Sequence, residues 1–116
     1  MTNFALSVNY LLSYFRMFSS QDLDGLSSIL DDNLVLRDWD INCIGKSESL
    51  VAVKNIFESV DSIFVEPVKI IVDATDNSAA CILNIFINSD EKPLKVVDFI
   101  RVNRLGLIVE ISAYKQ

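Results

Sequence analysis

The stretch Lys95-Val96-Val97-Asp98-Phe99-Ile100-Arg101-Val102-Asn103, followed across Arg104-Leu105-Gly106 by Ile108-Val109-Glu110-Ile111-Ser112-Ala113-Tyr114, reads as two strands joined by a tight turn. β-branched and aromatic residues dominate both runs, and Gly106 suits a turn that needs positive φ. Side chains alternate between the two faces of a strand. One face of the first run therefore carries Val96, Asp98, Ile100 and Val102, and the other carries Lys95, Val97, Phe99 and Arg101. A lone aspartate stands in the apolar row while both cations lie on the opposite side. A carboxylate placed there loses hydration, which raises its pKa.

Upstream of this hairpin the same texture continues. Ile63 to Asp73 is rich in β-branched residues, with Pro67 implying an edge strand or a bulge. Asp76-Asn77-Ser78 is a turn, Ala79 to Asn88 the next strand, and Ser89 to Pro93 the next turn. Successive hairpins of this kind make a curved antiparallel sheet.

The first half has helical period instead. Phe4, Val8, Leu11, Leu12, Phe15 and Phe18 form one stripe of a helix over about 4–18. A second, short helix is expected from Asp22, its N-cap, to Leu30, ending in the polar turn Asp31-Asp32-Asn33. Leu34 to Asp38 reads as a strand, and a loop through Asn42 and Gly45 leads to a third helix over Ser47 to Val60, with Ser47 as its cap. Helices in one half and strands in the other predict an α+β fold: three N-terminal helices packed on a strongly curved antiparallel sheet, a cone-like α+β barrel.

Bulk properties exclude several classes. The 116 residues fit one domain, 1–116, and 51% of them are apolar. The net charge of −6 argues against nucleic acid as a partner, since phosphates demand clustered Lys and Arg. No run approaches the ~18 apolar residues of a membrane span, because Asn84 and Asn88 interrupt the most apolar stretch. The first basic residue is Arg16, so no charged segment precedes an apolar one in the manner of a secretory signal, and a cytoplasmic location is expected. Cys43 and Cys81 have no metal-site spacing and read as buried thiols. The absence of histidine removes His-based acid–base work, Ser-His-Asp triads and His-rich metal sites.

Three residues could carry chemistry. Asp98 is the first; its bland reading is a strand aspartate reaching water or a backbone amide. Asp38 ends the apolar row Leu34, Leu36, a natural pocket mouth, although a solvated strand-end acid would look the same. Asp40 and Asn42 are its neighbours in the loop, and Asp38 with Asp40 lacks the further acidic ligands a Mg²⁺ site needs. Tyr14 sits at the edge of the first helical stripe, where its ring is buried and its hydroxyl needs a partner. Two carboxylates and a phenol thus point toward one apolar interior.

The same residues carry a family resemblance. Tyr14 to Leu26, with a helix ending in Ser19-Ser20-Gln21 before Asp22-Leu23-Asp24-Gly25, looks like the opening of ketosteroid isomerases and SnoaL-like proteins. Asp31 to Asp38 resembles the acidic turn and first strand that lead to the isomerase base, and Val97 to Val109 resembles their last hairpin. The chain is thereby similar, over nearly its whole length, to the nuclear-transport-factor-2-like (cystatin-like cone) proteins. The resemblance implies Asp38 as general base, with Tyr14 and a protonated Asp98 as the pair that binds an oxyanion. It implies no metal and no cofactor. Trp39 departs from the isomerases, which tend to have proline after the base. Epoxide hydrolases of this fold would have Arg where Val96 stands, and its dehydratases rely on histidine.

Two functions follow as expectations. One is a cofactor-free isomerase or cyclase acting on a small apolar carbonyl compound through an enolate. The other is a non-catalytic module of the same fold that binds an apolar ligand or serves dimerisation. Phe18, Trp39, Phe57, Phe86 and Ile100 are expected to line the pocket around Tyr14. The partners expected are a small apolar molecule and a second copy of the chain. The distinguishing observation is whether Asp38, Tyr14 and Asp98 meet in one cavity.

Overall fold

A computed structural model describes residues 3–116. Ser7, with extended backbone, caps the first helix, α1 (Val8–Ser19), by accepting from the Tyr10 amide. The buried stripe of α1 is Leu11, Tyr14 and Phe15, with Phe18 packed against the same core. Two members of the expected stripe fall outside it: Phe4 precedes the helix and Val8 is exposed. Tyr14 accordingly sits at the centre of the stripe, 5% exposed, and not at its edge. Asp22 caps α2 (Leu23–Ile29), its carboxylate accepting from the Gly25 amide at 2.9 Å.

β1 (Leu30–Arg37) begins four residues earlier than its apolar alternation suggests. The polar Asp31-Asp32-Asn33 turn is a local irregularity of this strand, lying between Leu30 and Val35. It keeps both Leu30 and Leu34 buried. A short β2 (Asn42–Ile44) follows where a loop is expected. α3 (Lys46–Glu58) starts at Gly45, whose φ of +98° turns the chain; Ser47 lies inside the helix and caps nothing. Then come β3 (Ile63–Asp73), β4 (Ser78–Ile87), β5 (Leu94–Val102) and β6 (Ile108–Lys115).

The six strands form one sheet in the order β2-β1-β6-β5-β4-β3. β3 is an end strand with an irregularity between Pro67 and Lys69, so Pro67 costs the ladder nothing. The β3-β4, β4-β5 and β5-β6 pairs are antiparallel hairpins. The β1-β6 pair is parallel, so the sheet is mixed and not antiparallel throughout. A long crossover permits this: four strands, β2 to β5, and α3 lie between β1 and β6 in the chain, so no hairpin turn forces the pair to be antiparallel. The sheet stays open, with β2 and β3 at its two ends. An α+β architecture with three helices over a sheet is therefore the fold.

The core lies between the helices and the inner face of the sheet. On β5, Val96, Asp98, Ile100 and Val102 are 3%, 9%, 0% and 3% exposed, which makes this row the inner one. Arg101, on the outer face, pairs with its cross-strand partner Glu110. Cys43 and Cys81 are buried free thiols. Among the described residues, no helix is long and apolar enough to cross a membrane.

Candidate active site

Strand register places the acids. Asp98 lies opposite Ala113 on β6 and opposite Cys81 on β4. Arg37 lies opposite Ser112 on the parallel β1-β6 pair, so Asp38, one residue further, reaches the level of Ala113. The row Asp38, Ala113, Asp98, Cys81 thus runs across four neighbouring chain segments. With strands ~4.8 Å apart, the two aspartate backbones are separated by about 10 Å, with one small side chain between them. Ala113 leaves that space open.

The space is a cavity of about 260 Å³, walled largely by aliphatic side chains of the sheet and by α1 and α3. Asp38, Tyr14 and Asp98 all line it. Phe18 and Trp39 line it too, with Trp39 at the mouth, 39% exposed and under the Lys115 ammonium at 5.1 Å. The other three aromatic and aliphatic expectations are corrected. Phe57 stands behind the wall, edge-on to Phe18 at 5.0 Å, while Ile56 reaches the cavity. Phe86 alternates onto the outer face and stacks on Phe64, leaving Ile85 and Ile87 to face inward. Ile100 is on the inner row but fully enclosed in the core, beyond the cavity's end.

Each polar group has a distinct setting. Asp38 is held by its own loop: Oδ1 accepts from the amides of Asp40 at 2.7 Å and Ile41 at 2.6 Å, and its amide donates to the Ile41 carbonyl at 2.9 Å. These bonds fix the carboxylate and leave Oδ2 free. No hydrogen bond among the described residues engages the Tyr14 hydroxyl or the Asp98 carboxyl. Every fully enclosed polar side-chain atom among the described residues does have a partner, so these two groups open onto the cavity. Burial, and then the negative charge of Asp38, push the Asp98 carboxyl up from 3.8 to about 7. Asp98 is therefore divided between acid and carboxylate near neutral pH, where the sequence reading expected it fully protonated. Burial, then the charge of Asp98, then Cys81, hold the Tyr14 phenol above its ordinary range, so it is a donor at any physiological pH. No cluster of three or more His, Cys, Asp or Glu side chains among the described residues is arranged to hold a metal.

Two contributors escape a reading of the strands. The amides of Asp40 and Ile41 act through backbone, and only the Asp-x-Asp spacing hints at a carboxylate folded back on its own loop. Ala113 matters by being small, a signal present as the one alanine in a strand of larger residues.

No protein-family model and no curated protein matches the chain. Solved structures do. A protein with a cystatin-like fold from Methylobium petroleophilum superposes with a TM-score of 0.80 at 18% identity, over 96% of this chain and 78% of that one. Nuclear transport factor 2 from Cryptosporidium parvum gives 0.78 at 12% identity, over 93% and 90%. This is the nuclear-transport-factor-2-like, cystatin-like cone fold. A candidate polyketide cyclase from Sinorhizobium meliloti shares the cone with a TM-score of 0.79 at 18% identity, over 92% and 94% of the two chains. Proteins described as SnoaL-like and ketosteroid isomerase also share it. Identities this low speak for the cone alone and leave its chemistry to the site.

Proposed function

We propose that this protein is a cofactor-free isomerase or cyclase that abstracts a proton next to the carbonyl of a small apolar compound. The observation that supports this reading best is the convergence of Asp38, Tyr14 and Asp98, from three separate elements, on one apolar cavity. The free Oδ2 of Asp38 takes the α-proton. The electron pair of the broken C–H bond forms the enolate double bond, and charge moves to the carbonyl oxygen. The Tyr14 hydroxyl and the acid form of Asp98 donate hydrogen bonds to that oxygen in a site from which apolar walls exclude water. The proton then returns to carbon at the same or a conjugated position, or the enolate attacks a second carbonyl of the same molecule. Clamping of Asp38 by two amides keeps the base aimed between these steps.

A protein of this fold from M. tuberculosis is described as an LEH-like epoxide hydrolase. The present cavity supports that chemistry less well, because Val96 stands beside Asp98 on the inner row and Arg101 faces outward to Glu110. The test is deuterium exchange at the α-carbon of cyclic ketones, followed by NMR. Asp38→Asn is expected to lower the exchange rate by at least about 10²-fold while leaving phenol binding intact. Exchange that is unaffected by Asp38→Asn would overturn the assignment of the base.

A further inference from the structure

The cavity holds more negative charge than it balances. Among the described residues the ion pairs are Lys54 with Glu58 and Arg101 with Glu110, both on the surface. Asp98 is 9% exposed, has no hydrogen-bond or ionic partner among the described residues, and faces the cavity. Asp38 faces the same space across Ala113, and Asp40 stands at its rim. The remaining groups that face Asp98 bring no cation. α1 contributes the Tyr14 phenol, β4 the Cys81 thiol, α3 the Ser49 hydroxyl, and β3 and β6 only aliphatic side chains. One cation, Arg37, lines the cavity, at its exposed rim and not between the two acids. Arg37 is bonded to Asn42, and Lys115 is exposed above Trp39. Around the carboxylates stand Tyr14, Phe15, Phe18 and Trp39, four rings that attract positive charge to their faces.

We propose that this cavity binds apolar ammonium compounds, a protonated amine on a hydrophobic body, with the nitrogen lodged between Asp38 and Asp98 and the body against the aliphatic wall. The ammonium supplies a countercharge that no described side chain places between the two acids. Its three N–H donors suit one free oxygen of Asp38 and the two oxygens of Asp98. The roughly 10 Å between the two aspartate backbones leaves room for one such group and both side chains. This inference rests only on the cavity and its carboxylates. It stands equally for a catalyst and for a binding module.

The two ligand classes call for opposite forms of Asp98. An oxyanion or a phenol needs the acid as donor; an ammonium needs the carboxylate. Burial and the Asp38 charge push the Asp98 carboxyl up to about 7. Its ionised fraction grows about tenfold between pH 6 and pH 8, and the apparent affinity for an ammonium grows with it.

The experiment is calorimetric titration with cyclohexylmethylamine, cyclohexylmethanol and cyclohexanecarboxylate at pH 6, 7 and 8. At pH 8 the amine is expected to bind at least about tenfold more tightly than the alcohol, with the carboxylate weakest. The amine's affinity should rise about tenfold from pH 6 to pH 8, with proton release at pH 6 seen as a dependence on buffer ionisation enthalpy. Asp98→Asn should flatten that rise, with cooperative urea unfolding reporting an intact fold, and a rise that persists in the folded variant overturns the pairing of the ammonium with Asp98. Amine binding no tighter than alcohol binding at pH 8, or no binding of the amine at all, overturns the proposal. Ketone α-exchange, measured separately, carries the catalytic reading, so either can fail without the other.

Discussion

Replacing Asp98 by Asn should stabilise the protein more as pH rises. In the folded chain the carboxyl is held up at about 7, against 3.8 when unfolded. Between those values the folded state keeps a proton that the unfolded state has released, so stability falls with rising pH. The penalty is absent well below 3.8, grows through the interval and is constant above 7. At 1.36 kcal/mol per pH unit the full effect is about 4 kcal/mol. Asparagine has nearly the same shape and never ionises. The stability of Asp98→Asn minus that of the parent should therefore rise by about 3 kcal/mol from pH 5 to pH 8.5. Urea unfolding of both proteins at matched ionic strength measures it, and the subtraction cancels the other titrating groups. A difference that stays level across that range would mean that Asp98 is solvated or paired in the folded chain. Its role as a neutral donor would then be wrong.

Trp39 is the single tryptophan and lies at the cavity mouth, so a bound apolar ligand should shift its emission; saturable binding of a phenol without any change in emission would remove it from the mouth. Gly106→Ala should cost about 1–3 kcal/mol, because φ is +84° there and a Cβ would meet the Phe4 ring at 2.9 Å; an unchanged melting temperature would contradict that turn. We expect a homodimer through the outer sheet face, where Ile82, Val97 and Tyr114 form one cross-strand row that is 39%, 37% and 65% exposed. Sedimentation should show a dimer at micromolar concentration and a monomer for Val97→Lys, and a monomeric parent would refute it.

Period alone was enough for much of this protein. Alternation along Lys95 to Val102 separates an apolar face from a cationic one, and the structure buries the first and exposes the second. Asp98 was legible as a desolvated acid for that reason, since a side chain's face depends only on its position in the strand. The helices, the capping by Asp22 and the edge position of Pro67 were equally local matters. Parity also exposes the error over Phe86, which lies one residue from Ile85 and Ile87 and must face the other way. Local pattern could not tell how deep a residue lies along a face. Ile100 and Phe57 are correctly apolar and inward, yet they fill the core beyond the cavity. Nor could it reveal that β1 runs parallel to β6, because that pair is separated by more than half of the chain and no turn connects it. That pairing brings Asp38 level with Ala113 and Asp98. Two aspartates 60 positions apart in the chain become neighbours across one small side chain, and only tertiary structure decides that, because long-range strand register is set by packing of the whole sheet and not by any local period.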